Sequence, residues 1–188
     1  TTNVVISRVL GPVYVTTYSI AYKYFFAIAM LFTIILTPFW SAFTDAYTKG
    51  DIQWMRMAVD KLKNVWLIMV PIAVVMLIVS PLFYKIWVGD SVHVPFILSV
   101  LIAIYVLLFT RFNLFIYLIN GIGKVRLQLY INIVIAISYI PMAIYFGKWI
   151  GLPGIIAANI LVSLIHAIIS QAQVTQILND TASGIWNK

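Results

Sequence analysis

The sequence has no cysteine and no glutamate, and only 9% of its 188 residues are charged. Without cysteine there are no disulfides, no thiolate metal sites and no thiol redox chemistry. A soluble domain carries roughly 25% charged residues because its surface must face water. This chain is 63% hydrophobic and too poor in charge to cover a core with polar surface. That composition excludes the soluble classes and leaves an integral membrane protein. A formal net charge of +7 would suggest nucleic acid as the partner of a soluble domain. In a membrane protein it points to anionic lipid instead, and no nucleic-acid partner is expected.

The few charges are spaced like the edges of membrane spans. Uncharged runs of 21 residues separate Lys23 from Asp45, Lys63 from Lys85 and Arg126 from Lys148. Runs of 20 and 31 separate Asp90 from Arg111 and Lys148 from Asp180. A helix rises about 1.5 Å per residue, so about 20 residues cross a hydrocarbon core of about 30 Å. The expected fold is therefore all-α, a polytopic transmembrane helical bundle forming one domain over 1–188. Five complete spans are expected near 18–44, 64–84, 95–119, 127–147 and 153–177. Residues 1–10 read as the last turns of a sixth. With no initiator methionine, leader or cleavage site at Thr1, the chain reads as a C-terminal piece of a longer protein.

Lysine and arginine set the orientation. Lys49, Arg56, Lys61, Lys63, Lys124, Arg126 and Lys188 fall on one side of the expected spans, against Arg8, Lys85 and Lys148 on the other. Seven against three places the C-terminus in the cytoplasm. On that side, 51–63 reads as a short amphipathic helix lying on the membrane. Asp51 serves as N-cap, Ile52, Met55, Val59 and Leu62 form the apolar stripe, and Arg56 pairs with Asp60 at i, i+4. Its basic face, with Lys49, Lys61, Lys63, Lys124 and Arg126 nearby, suits anionic head groups.

Polar stripes run through the spans. Asn159, Ser163, His166, Ser170 and Gln173 recur every three or four residues along the last. Lipid offers no hydrogen bonds, so this face turns inward, either as glue between helices or as the wall of a solute path. Thr110, Asn113, Tyr117 and Asn120 form a similar stripe in the third span, Gln128, Asn132 and Tyr139 in the fourth, and Thr33, Thr37 and Ser41 in the first. Together they suggest a central hydrophilic cavity. Two cations lie within spans, Lys23 and Arg111, and such residues are functional candidates by default. Arg111 either faces the cavity or snorkels to head groups. Pro38, Pro71, Pro81 and Pro141 are expected to kink their helices.

The stretches "IILTPFWSAFTDAYTKGDIQWM", "SPLFYKIWVGD", "LINGIGKVRLQLYINI" and "GLPGIIAANI" together resemble the C-terminal half of Wzx-type oligosaccharide flippases. These belong to the multidrug/oligosaccharidyl-lipid/polysaccharide exporter superfamily, whose fold is MATE-like. The resemblance implies two pseudo-symmetric six-helix bundles around a cavity, this chain supplying the end of helix 7 and helices 8 to 12. It implies a bacterial inner-membrane transporter, not an enzyme, that carries a polyisoprenyl-diphosphate-linked oligosaccharide outward for O-antigen or capsule biosynthesis. Its partners would be that substrate, membrane lipid and the N-terminal half of the same transporter. Lys23 and Arg111 would meet the diphosphate; Asn113, Asn120, Asn159, His166 and Gln173 would meet sugar hydroxyls. No cofactor or metal is expected, and coupling to H+ or Na+ stays open.

Two rival readings share the membrane setting. A MATE-type cation antiporter needs carboxylates within the membrane, and the five aspartates here all lie at span ends or in loops. A membrane-embedded enzyme of glycan assembly needs a sizeable loop with grouped acid, base or nucleophile side chains. The loops beyond the basic side are short and offer mainly Asp90 and His93, which read as a solvated turn.

Overall fold

The computed structural model describes residues 1–89 and 92–188, so Asp90 lies outside the described residues. The protein is all-α: α1 (Thr2–Val9), α2 (Pro12–Thr48), α3 (Ile52–Val88), α4 (Phe96–Gly121), α5 (Arg126–Ile150) and α6 (Leu152–Leu178), followed by a short 3-10 helix (Gly184–Asn187). No strand occurs among the described residues. The five helices from α2 to α6 are each long and apolar enough to cross a membrane. This is a multi-pass membrane protein.

The helices run up and down between tight turns, which collects the charged loops at two ends. The turns after α2 and α4 and the tail after α6 share the basic end. Those after α1, α3 and α5 share the far end. α4 is the central helix, packed against α2, α3 and α6; α5 packs on α6 and α1. α1 fills the gap between α2 and α5 only near the far end, where Val9 approaches Gly147. Nearer the basic end that gap stays open, with α4 behind it.

Two glycines permit the closest approaches. A Cβ on Gly154 would stand 2.1 Å from the Phe146 carbonyl oxygen, and one on Gly121 2.7 Å from that of Trp40. The first holds α6 against α5, and the second holds the end of α4 against α2. There the Thr44 hydroxyl donates to the Gly121 carbonyl at 2.6 Å.

The structure revises the expected element bounds. α2 and α3 are 37 residues each, about 55 Å of helix at 1.5 Å per residue, far more than a bilayer core requires. Residues 52–63 are the first turns of α3, not a separate helix on the membrane surface. Their apolar stripe is occupied within the protein: Met55, Val59 and Leu62 are buried, and Trp54 meets the Phe43 ring at 5.8 Å. Asp51 caps the helix as expected, accepting from the Trp54 amide at 2.9 Å. The expected Arg56–Asp60 pair does not form. Asp60 accepts from Lys63 at 3.0 Å, while Arg56 donates to the Leu178 carbonyl at the end of α6. That carbonyl is among the four that a helix leaves unsatisfied, and it attracts a cation. Pro38, Pro71, Pro81 and Pro141 all lie inside unbroken helices.

Candidate substrate groove

α2 and α4 run parallel, and their facing side chains meet in register. Tyr18, Tyr22 and Phe26 lie four residues apart on α2, each ring against the next, with centroids 5.4 and 4.9 Å apart. Tyr105 and Phe109 continue the contact on α4, at 6.4 Å from Tyr22 and 5.8 Å from Phe26. Toward the basic end Trp40 meets Tyr117 edge to face at 5.7 Å. On α4 the spacing 105, 109, 113, 117, 120 stays on one helical face, and all five residues are partly exposed. This face therefore lies at the gap that α1 leaves open. Asn113 and Asn120 stand on the same helical face as Tyr105, Phe109 and Tyr117.

Lys23 belongs to the far part of this groove. It lines a cavity of about 350 Å³ together with Thr1, Asn3, Tyr18, Tyr22 and Tyr105. Eleven residues separate it from Pro12, so the ammonium is carried about 17 Å along α2. No carboxylate lines the cavity. A cation bordered by phenol hydroxyls and aromatic faces can take an anionic group beside rings that stack on apolar or sugar surfaces.

Other expected site residues lie elsewhere. Arg111 projects from α4 toward α3 and α6, about 200° around the helix from Asn113. Its Nη2 donates to Gln171 Oε1 at 3.0 Å, and its guanidinium lies over the rings of Trp66 and Phe115, at 5.0 and 5.1 Å. It is thus neither in the groove nor extended freely to the head groups. Thr110, expected on the same stripe as Asn113, is buried and accepts from Trp66 Nε1 at 3.1 Å.

The stripe of the last span is glue. Asn159, Ser163, Ser170 and Gln173 are all buried. Asn159 Oδ1 accepts from the Thr2 hydroxyl at 3.5 Å, and Thr2 also bonds Tyr139 at 2.9 Å, joining α1, α5 and α6. Gln173 donates to the carbonyls of Lys124 and Trp186 at 3.0 and 3.3 Å, pinning the tail across the basic end. His166 stacks on Phe112 with centroids 4.6 Å apart. The space left beside His166, Gln128 and Gln173 is about 10 Å³, room for one water at most. Of the seven expected cavity residues, Lys23 lines the cavity beside Tyr22 and Tyr105, and Asn113 and Asn120 lie farther along the same face of α4 as Tyr105. Arg111, Asn159 and Gln173 bond neighbouring helices or loops, and His166 stacks on Phe112.

The expected surface cations do share one end. Lys49 pairs with Asp45 at 2.7 Å and Lys63 with Asp60. Lys124 donates to Asn187 and lies 5.4 Å from the Tyr47 ring. Lys61 and Arg126 are exposed, as is His93 at the opposite end. No group of three or more potential metal ligands comes together among the described residues.

Tyr18, Tyr22 and Tyr105 were not singled out by periodicity. Their signal was present: tyrosine and phenylalanine repeat every four residues beside Lys23, and Tyr105 extends the Asn113–Tyr117 stripe by two turns. In a membrane helix aromatic repeats also face lipid, so the pattern becomes distinctive only once α2 and α4 are paired. Comparisons with protein-family models, curated proteins and solved structures find no match to this chain.

Proposed function

We propose that the chain is one lobe of an exporter that moves a polyisoprenyl-diphosphate-linked oligosaccharide across the bacterial cytoplasmic membrane for cell-surface polysaccharide synthesis. The observation that carries this reading is the cavity of Lys23, Tyr18, Tyr22 and Tyr105 at the head of a polar-aromatic groove. A diphosphate brings negative charge into the membrane, and the Lys23 ammonium, in a cavity lined by no carboxylate, offers it a counter-charge. Sugar rings present C–H faces that lie on aromatic side chains, and hydroxyls that Asn113 and Asn120 can bond.

The groove is open where α2 and α5 stand apart. A second lobe of similar build closes it in this reading, and rocking of the two lobes gives alternating access. The seven basic residues at one end orient that end to the cytoplasm, so the Lys23 cavity lies in the outer half of the membrane. Transport of this kind makes and breaks no covalent bond in the substrate. The antiporter reading is less well supported, since the cavity that holds Lys23 has no carboxylate for a cationic drug.

Binding tests the proposal directly. The protein in nanodiscs is titrated with a fluorescent short-chain polyisoprenyl-diphosphate oligosaccharide, alongside the uncharged polyisoprenol and a lipophilic cation. Saturable binding of the diphosphate alone, weakened about tenfold in Lys23→Gln by loss of a charge-assisted contact, is expected. Equal binding of the polyisoprenol, or preference for the cation, would sink it.

A further inference from the structure

The face of α4 away from the groove carries a second polar feature, in a crevice walled by α3 and α6. Arg111 rises from its floor. Ten residues separate Arg111 from Gly121, so it lies about 15 Å in from the basic end of α4. Its contacts are all neutral: Gln171 Oε1 and the faces of Trp66 and Phe115. Trp66 is itself fixed, donating to Leu107 and Thr110 at 3.1 Å, so the guanidinium is held in place and only partly exposed. Lys63 stands one turn from Trp66 on the same face of α3. Arg56, Lys63 and Asp60 then line a cavity of about 150 Å³ with Thr175 and Asn179 of the α6 end. Arg56 is likewise bonded to a neutral carbonyl. Among the described residues, neither arginine has a carboxylate within ion-pair distance, while Lys63 pairs with Asp60 at 3.0 Å, so the three cations face a single carboxylate.

The walls match this charge pattern. Leu164, Ile168, Gln171 and Thr175 follow one another on a single exposed face of α6, two apolar residues and then two polar ones. On α3 exposed Leu67 stands one turn beyond Lys63 on the same side of the helix. With Arg111, Arg56 and Lys63 against Asp60, the crevice is net cationic toward the basic end and apolar beyond it, the profile of a phospholipid lying along a helix seam. A cation held within a span beside neutral partners is stabilised by an anion from the bilayer itself.

We propose that the crevice between α3 and α6 holds one anionic phospholipid, its phosphate between Arg111 and Lys63 and its acyl chains along Leu164 and Ile168. Arg111 presents a planar fork suited to two phosphate oxygens, held ready by its stack on Trp66. The site is separate from the groove and does not depend on what the groove carries.

Native mass spectrometry of the detergent-solubilised protein tests this with phosphatidylglycerol and phosphatidylcholine of identical acyl chains. One phosphatidylglycerol per chain is expected to be retained about tenfold over phosphatidylcholine, falling toward parity in Arg111→Gln and in Lys63→Gln but not in Lys85→Gln at the far end. Millimolar inorganic phosphate should not displace it. Equal retention of the two lipids by the unmodified protein overturns the proposal, as does selectivity that survives both substitutions. Displacement by inorganic phosphate alone overturns it in favour of a soluble-anion site. If Arg111→Gln does not fold, the unmodified protein and Lys63→Gln decide the matter by the same criteria.

Discussion

Tyr22 of α2 and Tyr105 of α4 face each other across two parallel helices with ring centroids 6.4 Å apart, and both border the cavity that holds Lys23. The pair sets the width of the groove at its head. It also offers two aromatic faces and two hydroxyls to whatever lies beside the ammonium.

Tyr105→Ala is therefore expected to weaken oligosaccharide binding about tenfold, while Tyr105→Phe keeps the ring and loses less. Titration of a lipid-linked oligosaccharide against both variants checks this. Equal losses in the two would assign the effect to the hydroxyl and not to stacking.

Lys23→Gln should lower affinity for the diphosphate lipid and flatten the salt dependence of binding, because screened attraction to the ammonium is removed. The readout is the slope of log affinity against log salt. An unchanged slope would place the anionic group elsewhere.

Gln173→Leu tests the opposite assignment. Gln173 bonds two carbonyls that tie the tail to the basic end, so its loss should lower thermal stability by about 1–3 kcal/mol from the unpaired carbonyls. Oligosaccharide affinity should stay unchanged. Altered affinity at full stability would return the last-span stripe to the substrate path.

Gly154→Ala forces a methyl against the Phe146 carbonyl, 2.1 Å away. Separation of α5 from α6 should cost about 1–3 kcal/mol, read as a lowered melting temperature. A melting temperature equal to that of the unmodified protein would mean that the hairpin relaxes at little cost.

The spans were legible because charge in a membrane protein is confined to their edges, and Lys63, Lys85, Arg126 and Lys148 mark them by spacing alone. The Asp51 cap was legible because it is local, one side chain and one amide three residues on. What periodicity does not carry is the identity of the neighbour. It correctly turned Asn159, Ser163, Ser170 and Gln173 inward, yet a buried face bonds other helices as readily as it lines a cavity. The residues at 52–63 illustrate the same point. An amphipathic stripe satisfies a membrane surface or the partner helices α2 and α6 equally well, and Met55, Val59 and Leu62 are buried in the protein. Arg111 differs from Asn113 by two positions, which on a helix is enough to move it to another face. The groove itself is a product of pairing between α2 and α4, residues some 80 apart in sequence, and becomes visible only when Tyr22 and Tyr105 stand together.

The most direct measurement is photocrosslinking with a polyisoprenyl-diphosphate oligosaccharide that carries one photoreactive group on the lipid next to the diphosphate, mapped by mass spectrometry of the protein in nanodiscs. The account predicts adducts on α2 and α4 around Tyr18, Tyr22 and Tyr105, lost in Lys23→Gln and competed by unlabelled diphosphate lipid. Adducts confined to the exposed apolar faces of α3 and α5, indifferent to Lys23 and to the competitor, would contradict it.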